Sequence, residues 1–150
     1  MSLTSRPRYT GHFRHSLDDK SRLTIPSGWR VAHTEEDEFV ALPHPDGYVA
    51  VLPPSEVDRL YDKAAEKNLS DSEAQDVLTQ LFAHALTVRF DKQGRIGLTP
   101  ELLEHAGITK DAVLAGSLTK FGIWSPERWD AKDQRMDNQT YRDLMRRAGI

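Results

Sequence analysis

Two short segments of this 150-residue chain carry residue types whose spacing suits recognition rather than catalysis. Asp18 precedes Arg22 by four positions, and Asp91 precedes Arg95 by the same interval. An aspartate at the start of a tight turn can accept backbone N–H groups across it, an Asx-type closure. Gly94, just before Arg95, permits a positive φ without a Cβ penalty. Each arginine then leaves its turn on a new strand. Its planar fork is suited to bidentate pairing with guanine or with phosphate. Lys20, Lys92, Arg14 and Arg30 are the nearby cations expected to support the two arginines.

Chemistry of other kinds finds little purchase. The chain has no cysteine, which removes thiolate nucleophiles, disulfides and Cys-ligated metal centres. Among the histidines, His12 and His15 have the closest spacing, but on a strand positions i and i+3 face opposite sides, so a shared metal is not expected. No His-Glu-x-x-His, phosphate loop or Gly-x-Ser-x-Gly motif occurs. Gly116-Ser117 is only a lone dipeptide of the kind that self-cleaves in some barrel enzymes, and Asp18-Asp19 reads as a solvated pair. A non-enzymatic protein without cofactor or metal is expected. The N-terminal stretch lacks the apolar core of a signal peptide, and no apolar run approaches the roughly eighteen residues of a membrane span. A cytoplasmic protein is the expectation. Net charge is −3, so positive charge must be concentrated on one face if nucleic acid is the partner.

The elements that position these turns come twice. Leu17-Asp18-Asp19-Lys20-Ser21-Arg22-Leu23-Thr24-Ile25-Pro26 returns 73 positions later as Phe90-Asp91-Lys92-Gln93-Gly94-Arg95-Ile96-Gly97-Leu98-Thr99. Downstream, Val49-Ala50-Val51-Leu52-Pro53-Pro54 matches Phe121-Gly122-Ile123-Trp124-Ser125-Pro126. Each repeat reads as a half-buried alternating strand (Phe13, His15, Leu17; Leu86, Val88, Phe90), the turn, and a short strand (Arg22 to Ile25; Arg95 to Leu98). A short helical piece follows, at Ser27 to Val31 and Pro100 to Ala106. Two more strands come next, near Phe39–Leu42 and Tyr48–Leu52, then Ala112–Ala115 and Phe121–Trp124, with a turn at His44-Pro45-Asp46-Gly47.

Each repeat ends in helix. Ser55 is expected to cap a helix whose Val57, Leu60, Tyr61 and Ala64 share one face. Ser70-Asp71-Ser72-Glu73 reads as a capping box for a second, with Val77, Leu78, Leu81 and Phe82 inward. Ser125-Pro126 opens a last helix running from Trp129 to Tyr141, Leu144 and Met145, whose polar middle suggests loose packing or docking on a neighbouring subunit. Trp29, Trp124 and Trp129 are expected in the core. The chain thus divides into a first repeat (1–68), a connecting helix (69–85) and a second repeat (86–150).

On Leu17-Asp18-x-Lys20-x-Arg22-Leu23-x-Ile25-Pro26, Asp91-Lys92-Gln93-Gly94-Arg95 and Ile123-Trp124-Ser125-x-Glu127-Arg128-Trp129, the chain resembles the MraZ family over nearly its whole length. The resemblance implies a mainly β protein with flanking helices (α+β): an internally duplicated, swapped-hairpin, double-split β-barrel like that of AbrB and SpoVT. It further implies a ring-shaped homo-oligomer that binds promoter direct repeats of the bacterial division and cell-wall gene cluster as a transcriptional regulator on the nucleoid. DNA contact would fall to Asp18, Lys20 and Arg22 and to Asp91, Lys92 and Arg95, with Ser21 and Gly94 shaping the turns. An adaptor barrel that binds protein, with or without DNA, is the alternative.

Departures from the family pattern carry expectations of their own. Ser21 stands where glycine is usual, which predicts a different turn type, since a left-handed non-glycine residue costs about 1 kcal/mol. Thr99 replaces a proline. Leu103 stands where Arg30 does in the first repeat, so the two DNA-facing edges should differ. Arg6 and Arg8 lie on a longer N-terminus.

Overall fold

A computed structural model describes residues 6–66 and 72–150. The first half contains β1 (His12–Ser16), β2 (Arg22–Thr24), α1 (Ser27–Arg30), β3 (Phe39–His44), β4 (Tyr48–Leu52) and α2 (Pro54–Glu66). After α3 (Ser72–Phe82), the order recurs as β5 (Leu86–Val88), β6 (Arg95–Gly97), α4 (Pro100–Ala106), β7 (Asp111–Gly116), β8 (Phe121–Trp124) and α5 (Pro126–Arg135), followed by α6 (Asn138–Arg147).

The strands pair across the repeats as well as within them. Six form one antiparallel sheet in the order β1-β7-β8-β4-β3-β5, and β2 pairs with β6 in a separate ribbon. Exchange of each strand for its counterpart four strands away turns this order into its own reverse. The sheet therefore has the two-fold character of a dimer whose subunits share one chain. The first strand of each repeat pairs with the third strand of the other, β1 with β7 and β5 with β3, so the halves are interlocked.

Alternation along the ribbon decides what it buries. Leu23 and Ile96 sit directly opposite each other and point into the core, which also takes Ile25, Leu98, Trp29, Phe39, Phe121 and Ile123. Arg22, Thr24 and Arg95 fall on the other face of the ribbon by the two-residue period. On the outer side of the sheet, α2 and α3 cover β3 and β4 through Val57, Leu60, Leu81 and Phe82 packed on Leu42, Ala50 and Leu52. Trp129 of α5 packs on Val113, Ala115 and Trp124. Trp29 and Trp124 are buried, as expected of core residues.

Several local expectations need correction. β1 is more exposed than a half-buried strand: Phe13 is 39% exposed, although its ring meets Trp29 edge-on at 5.4 Å. β1 is an edge strand, with a neighbour on one side only. Helix α2 opens at Pro54 rather than after a Ser55 cap, and Ser55 lies exposed inside its first turn. A proline with preset φ suits the first helical position, as Pro126 does in the second repeat. There Ser125 caps as expected, its Oγ accepting from the Arg128 amide at 3.2 Å. Ser70 and Asp71 of the expected capping box lie outside the described residues. Val77, expected inward, is 58% exposed. The C-terminal segment is two helices, because Asp137 accepts from the Thr140 amide at 2.7 Å and starts α6 anew. Aspartate favours a cap over a helix interior. Thr99 caps α4 by accepting from the Leu102 amide at 3.3 Å.

Candidate nucleic-acid interface

The two Asp–Arg turns are built alike, bond for bond. In the first, Asp18 Oδ1 accepts from the amides of Lys20 at 2.9 Å and Arg22 at 2.8 Å, and Oδ2 accepts from Arg22 Nε at 2.7 Å. In the second, Asp91 Oδ1 accepts from the amides of Gln93 and Arg95, both at 2.9 Å, and Oδ2 accepts from Arg95 Nε at 2.9 Å. Backbone bonds repeat the match, Asp18 N to Arg22 O at 3.0 Å and Asp91 N to Arg95 O at 2.9 Å. One carboxylate thus closes its turn and holds the following guanidinium by Nε.

Each turn is stitched to the other repeat. Ile25 N donates to Gly94 O at 2.9 Å, and Leu98 N donates to Ser21 O at 3.0 Å. Together with the antiparallel pairing of β2 and β6, these bonds hold Arg22 and Arg95 side by side. The two are nevertheless unequal. Arg95 Nη1 also reaches Asp18 Oδ2 at 3.4 Å, and its Nη2 donates to Gln93 Oε1 at 3.0 Å. Arg22 is held by Nε alone among the described residues, which leaves both terminal nitrogens for a ligand. Its strand partner is Gly97, where Arg95 faces Thr24.

Ser21 does not change the turn type. It is left-handed at φ 57°, close to Gly94 at 75°. What differs is the space above each turn. A Cβ at Gly94 would lie 2.3 Å from Arg30 Nη1, because the Arg30 side chain, tied by Nε to Ile25 O at 3.0 Å, lies over that turn. The counterpart of Arg30 in the second repeat is Leu103, a buried core residue with no guanidinium to lay over Ser21. Serine is therefore tolerated where the Asx bonds already fix the loop. The expected difference between the two edges has this concrete form.

The other expected residues divide. Lys20 and Lys92 are exposed at the two turn tips, and Arg30 joins the second turn. Arg14 does not join them. It lies on the opposite face of β1 from Phe13 and His15 and pairs with Asp130 of α5 at 2.7 Å, 116 positions along the chain. Gln93, as a partner of Arg95, is a residue that sequence reasoning missed; a glutamine inside a turn motif carries no signal by itself. His12 lies against Trp129, with ring centres 5.5 Å apart, and among the described residues no group of His, Asp and Glu is placed to hold a metal ion.

The aspartates are held in their charged form. The Arg22 amide is the main cause at Asp18; desolvation opposes it, and the Arg22 side chain and Lys20 amide reinforce it, leaving the carboxyl below the usual range. At Asp91 burial pushes upward most, but the bonds from Arg95 and Gln93 together outweigh it, and the net direction is again downward. A depressed folded value means that the turns are stabilised above the ordinary aspartate range, near pH 4, and lose that stabilisation as pH falls through the folded values. Carboxyl NMR titration is expected to place both aspartates below a free aspartate, with exchange of the Arg22 and Arg95 amides accelerating as they protonate. Titration at or above the free value would show that the carboxylates do not clamp the turns.

Comparison with known proteins follows the same outline. A family model described as "MraZ protein, putative antitoxin-like" matches residues 81–147, which include the second turn. A protein of Thermomicrobium roseum named transcriptional regulator MraZ is 36% identical, covering 83% of this chain and 86% of its own. Proteins of the same name from Syntrophobacter fumaroxidans and Clostridium acetobutylicum are 33% and 32% identical, covering 93% and 95% of this chain and 93% and 99% of their own.

Proposed function

The chain belongs to the MraZ family, and from that premise we propose that it is a sequence-specific DNA-binding regulator of transcription and not an enzyme. The observation that carries this reading is the paired Asp–Arg turns, built alike and joined by the β2–β6 ribbon. Arg22 offers an unengaged fork of the geometry that reads guanine in the major groove, and exposed Lys20 and Lys92 flank the pair as phosphate contacts.

The finer reading is a ring-shaped homo-oligomer on direct repeats in the promoter of the division and cell-wall gene cluster, associated with the nucleoid. One subunit offers few cations, so linked subunits on linked DNA repeats would raise affinity by roughly two to four orders of magnitude without new contacts. Surfaces for a head-to-tail contact support it. Helix α6 exposes Tyr141 and Leu144 beside Arg142, Arg146 and Arg147, while α2, which with α3 lines an apolar groove through Val57, Leu60, Tyr61 and Leu78, carries the exposed Asp58 and Asp62. The same groove is what an adaptor reading would use for a different protein.

The test is binding of purified protein to DNA from upstream of its own gene, at two salt concentrations, against a scrambled duplex of equal length. Preference for the native duplex with affinity falling as salt rises is the expected result. Equal, weak binding to both would move the assignment to the adaptor reading.

A further inference from the structure

The ion pairs formed among the described residues engage Arg14, Arg22, Arg59, Arg89 and Arg95, and Arg6, Arg8 and Arg30 are among the arginines that form none. These three line one groove, of about 1100 Å³, between the N-terminal arm and the β2–α1 corner. His15, Thr10, Thr24 and Ser27 also line it, and among the described residues no aspartate or glutamate does. In a chain of net charge −3, a groove with three arginines and no carboxylate is a segregated positive field.

The arm is held in place rather than trailing. Tyr9 is fully buried, pairs with Leu118 as a β-bridge, and shares a hydrogen bond with His33 Nε2, whose Nδ1 donates to Asp37 at 2.9 Å. Trp29 Nε1 donates to Thr10 O at 2.9 Å. These bonds fix Arg8 one residue from an anchored position, and Pro7 limits the freedom of Arg6. The groove is also continuous with the paired turns: it contains Thr24, the strand partner of Arg95, and Arg30, which lies over Gly94.

We propose that this groove, through Arg6, Arg8 and Arg30, grips the phosphodiester backbone of DNA beside the segment read by the two turns. The inference rests on the DNA-binding reading above and extends its footprint. Arginines without carboxylate partners, hydroxyl donors and an open trough suit a run of phosphates, and the grip itself carries no sequence preference.

The experiment compares wild type with the double variant R6Q/R8Q on the native upstream duplex, on the scrambled duplex, and on a native duplex trimmed of its flanks, across a salt series. Both side chains are exposed, and thermal melting checks that the fold is kept. Loss of two phosphate contacts should flatten the log–log salt slope by about 1.8 per bound subunit. Affinity should fall by a similar factor on native and scrambled DNA, and the variant should gain nothing from the flanks that wild type uses. An unchanged slope and affinity in a variant whose parent still prefers the native duplex would overturn the groove assignment and leave the regulator reading standing. Wild type without preference for the native duplex would bring down that reading first, before any variant is tested. Calorimetric binding of inorganic phosphate that is lost in R6Q/R8Q, with the DNA slope unchanged, would make the groove a small-anion site and overturn the proposal.

Discussion

Arg22→Ala is expected to cost about 1–3 kcal/mol of binding to the native duplex per contact, roughly five- to 150-fold, while leaving the fold and its thermal stability intact. The expectation follows from how the residue is held. Asp18 fixes Arg22 by Nε at 2.7 Å, so the terminal fork is pre-oriented and little rotamer entropy is lost when it meets a base. In an assembly every subunit carries the substitution, and linked sites multiply the loss toward abolition. Arg22→Lys separates two roles. Lysine keeps the charge but not the fork, so the salt slope should persist while preference for the native over the scrambled duplex disappears. A uniform loss on both duplexes would assign Arg22 to phosphate instead. Arg95→Ala carries a structural component as well, because Arg95 also ties Asp91, Asp18 and Gln93 together at 23% side-chain exposure. Its melting temperature should fall where that of Arg22→Ala does not.

The second large effect is expected at Gly116. A Cβ there would lie 2.3 Å from Tyr9 O, 2.5 Å from Tyr9 C and 2.9 Å from Thr10 N, all backbone atoms that cannot rotate aside. Gly116 N also donates to Gly11 O at 2.9 Å, and Leu118 N to Tyr9 O at 2.9 Å, so arm and strand approach as closely as paired backbone allows. Gly116→Ala should either strain β7 or expel the arm and uncover the Tyr9 site. The expected loss is about 2–4 kcal/mol, or roughly 2–4 °C of melting temperature for each kcal/mol at this chain length. Gly94→Ala makes the control. Its Cβ would meet Arg30 Nη1 at 2.3 Å and Nε at 2.6 Å, but these belong to a side chain that can swing aside by giving up its bond to Ile25 O, where the backbone at Gly116 cannot. The remaining cost is a left-handed residue, about 1 kcal/mol, which Ser21 already bears in the other turn. If both alanine variants melted alike, the close approach of the arm to Gly116 would not be a feature of the folded protein.

The turns were legible in the sequence because their chemistry is local. Asp18 and Arg22 are four positions apart, and every bond that closes the turn lies between them. The 73-residue offset between repeats was legible for the same reason, as a pattern of residue types at fixed spacing. What escaped depends on neighbours distant in the chain. Nothing near Ser21 in the sequence announces that Arg30 covers the other turn and that Leu103 leaves this one free of a guanidinium. Arg14 was grouped with the turns by proximity in sequence, whereas its charge is met by Asp130 from α5. The break between α5 and α6 was hidden because Asp137 sits among so many polar residues that its capping role does not stand out. The interlocking of the repeats came only from the family resemblance, since spacing alone does not say which strand pairs with which.

That interlocking has a consequence for how the chain is made. As the protein leaves the ribosome, the first half emerges with β1 and β3 lacking the neighbours, β7 and β5, that flank them in the finished sheet. β4 likewise waits for β8 of the second repeat. Closure is thus deferred until the second repeat has emerged. In the interval the nascent half presents unpaired strand edges, the surfaces most prone to join the wrong chain.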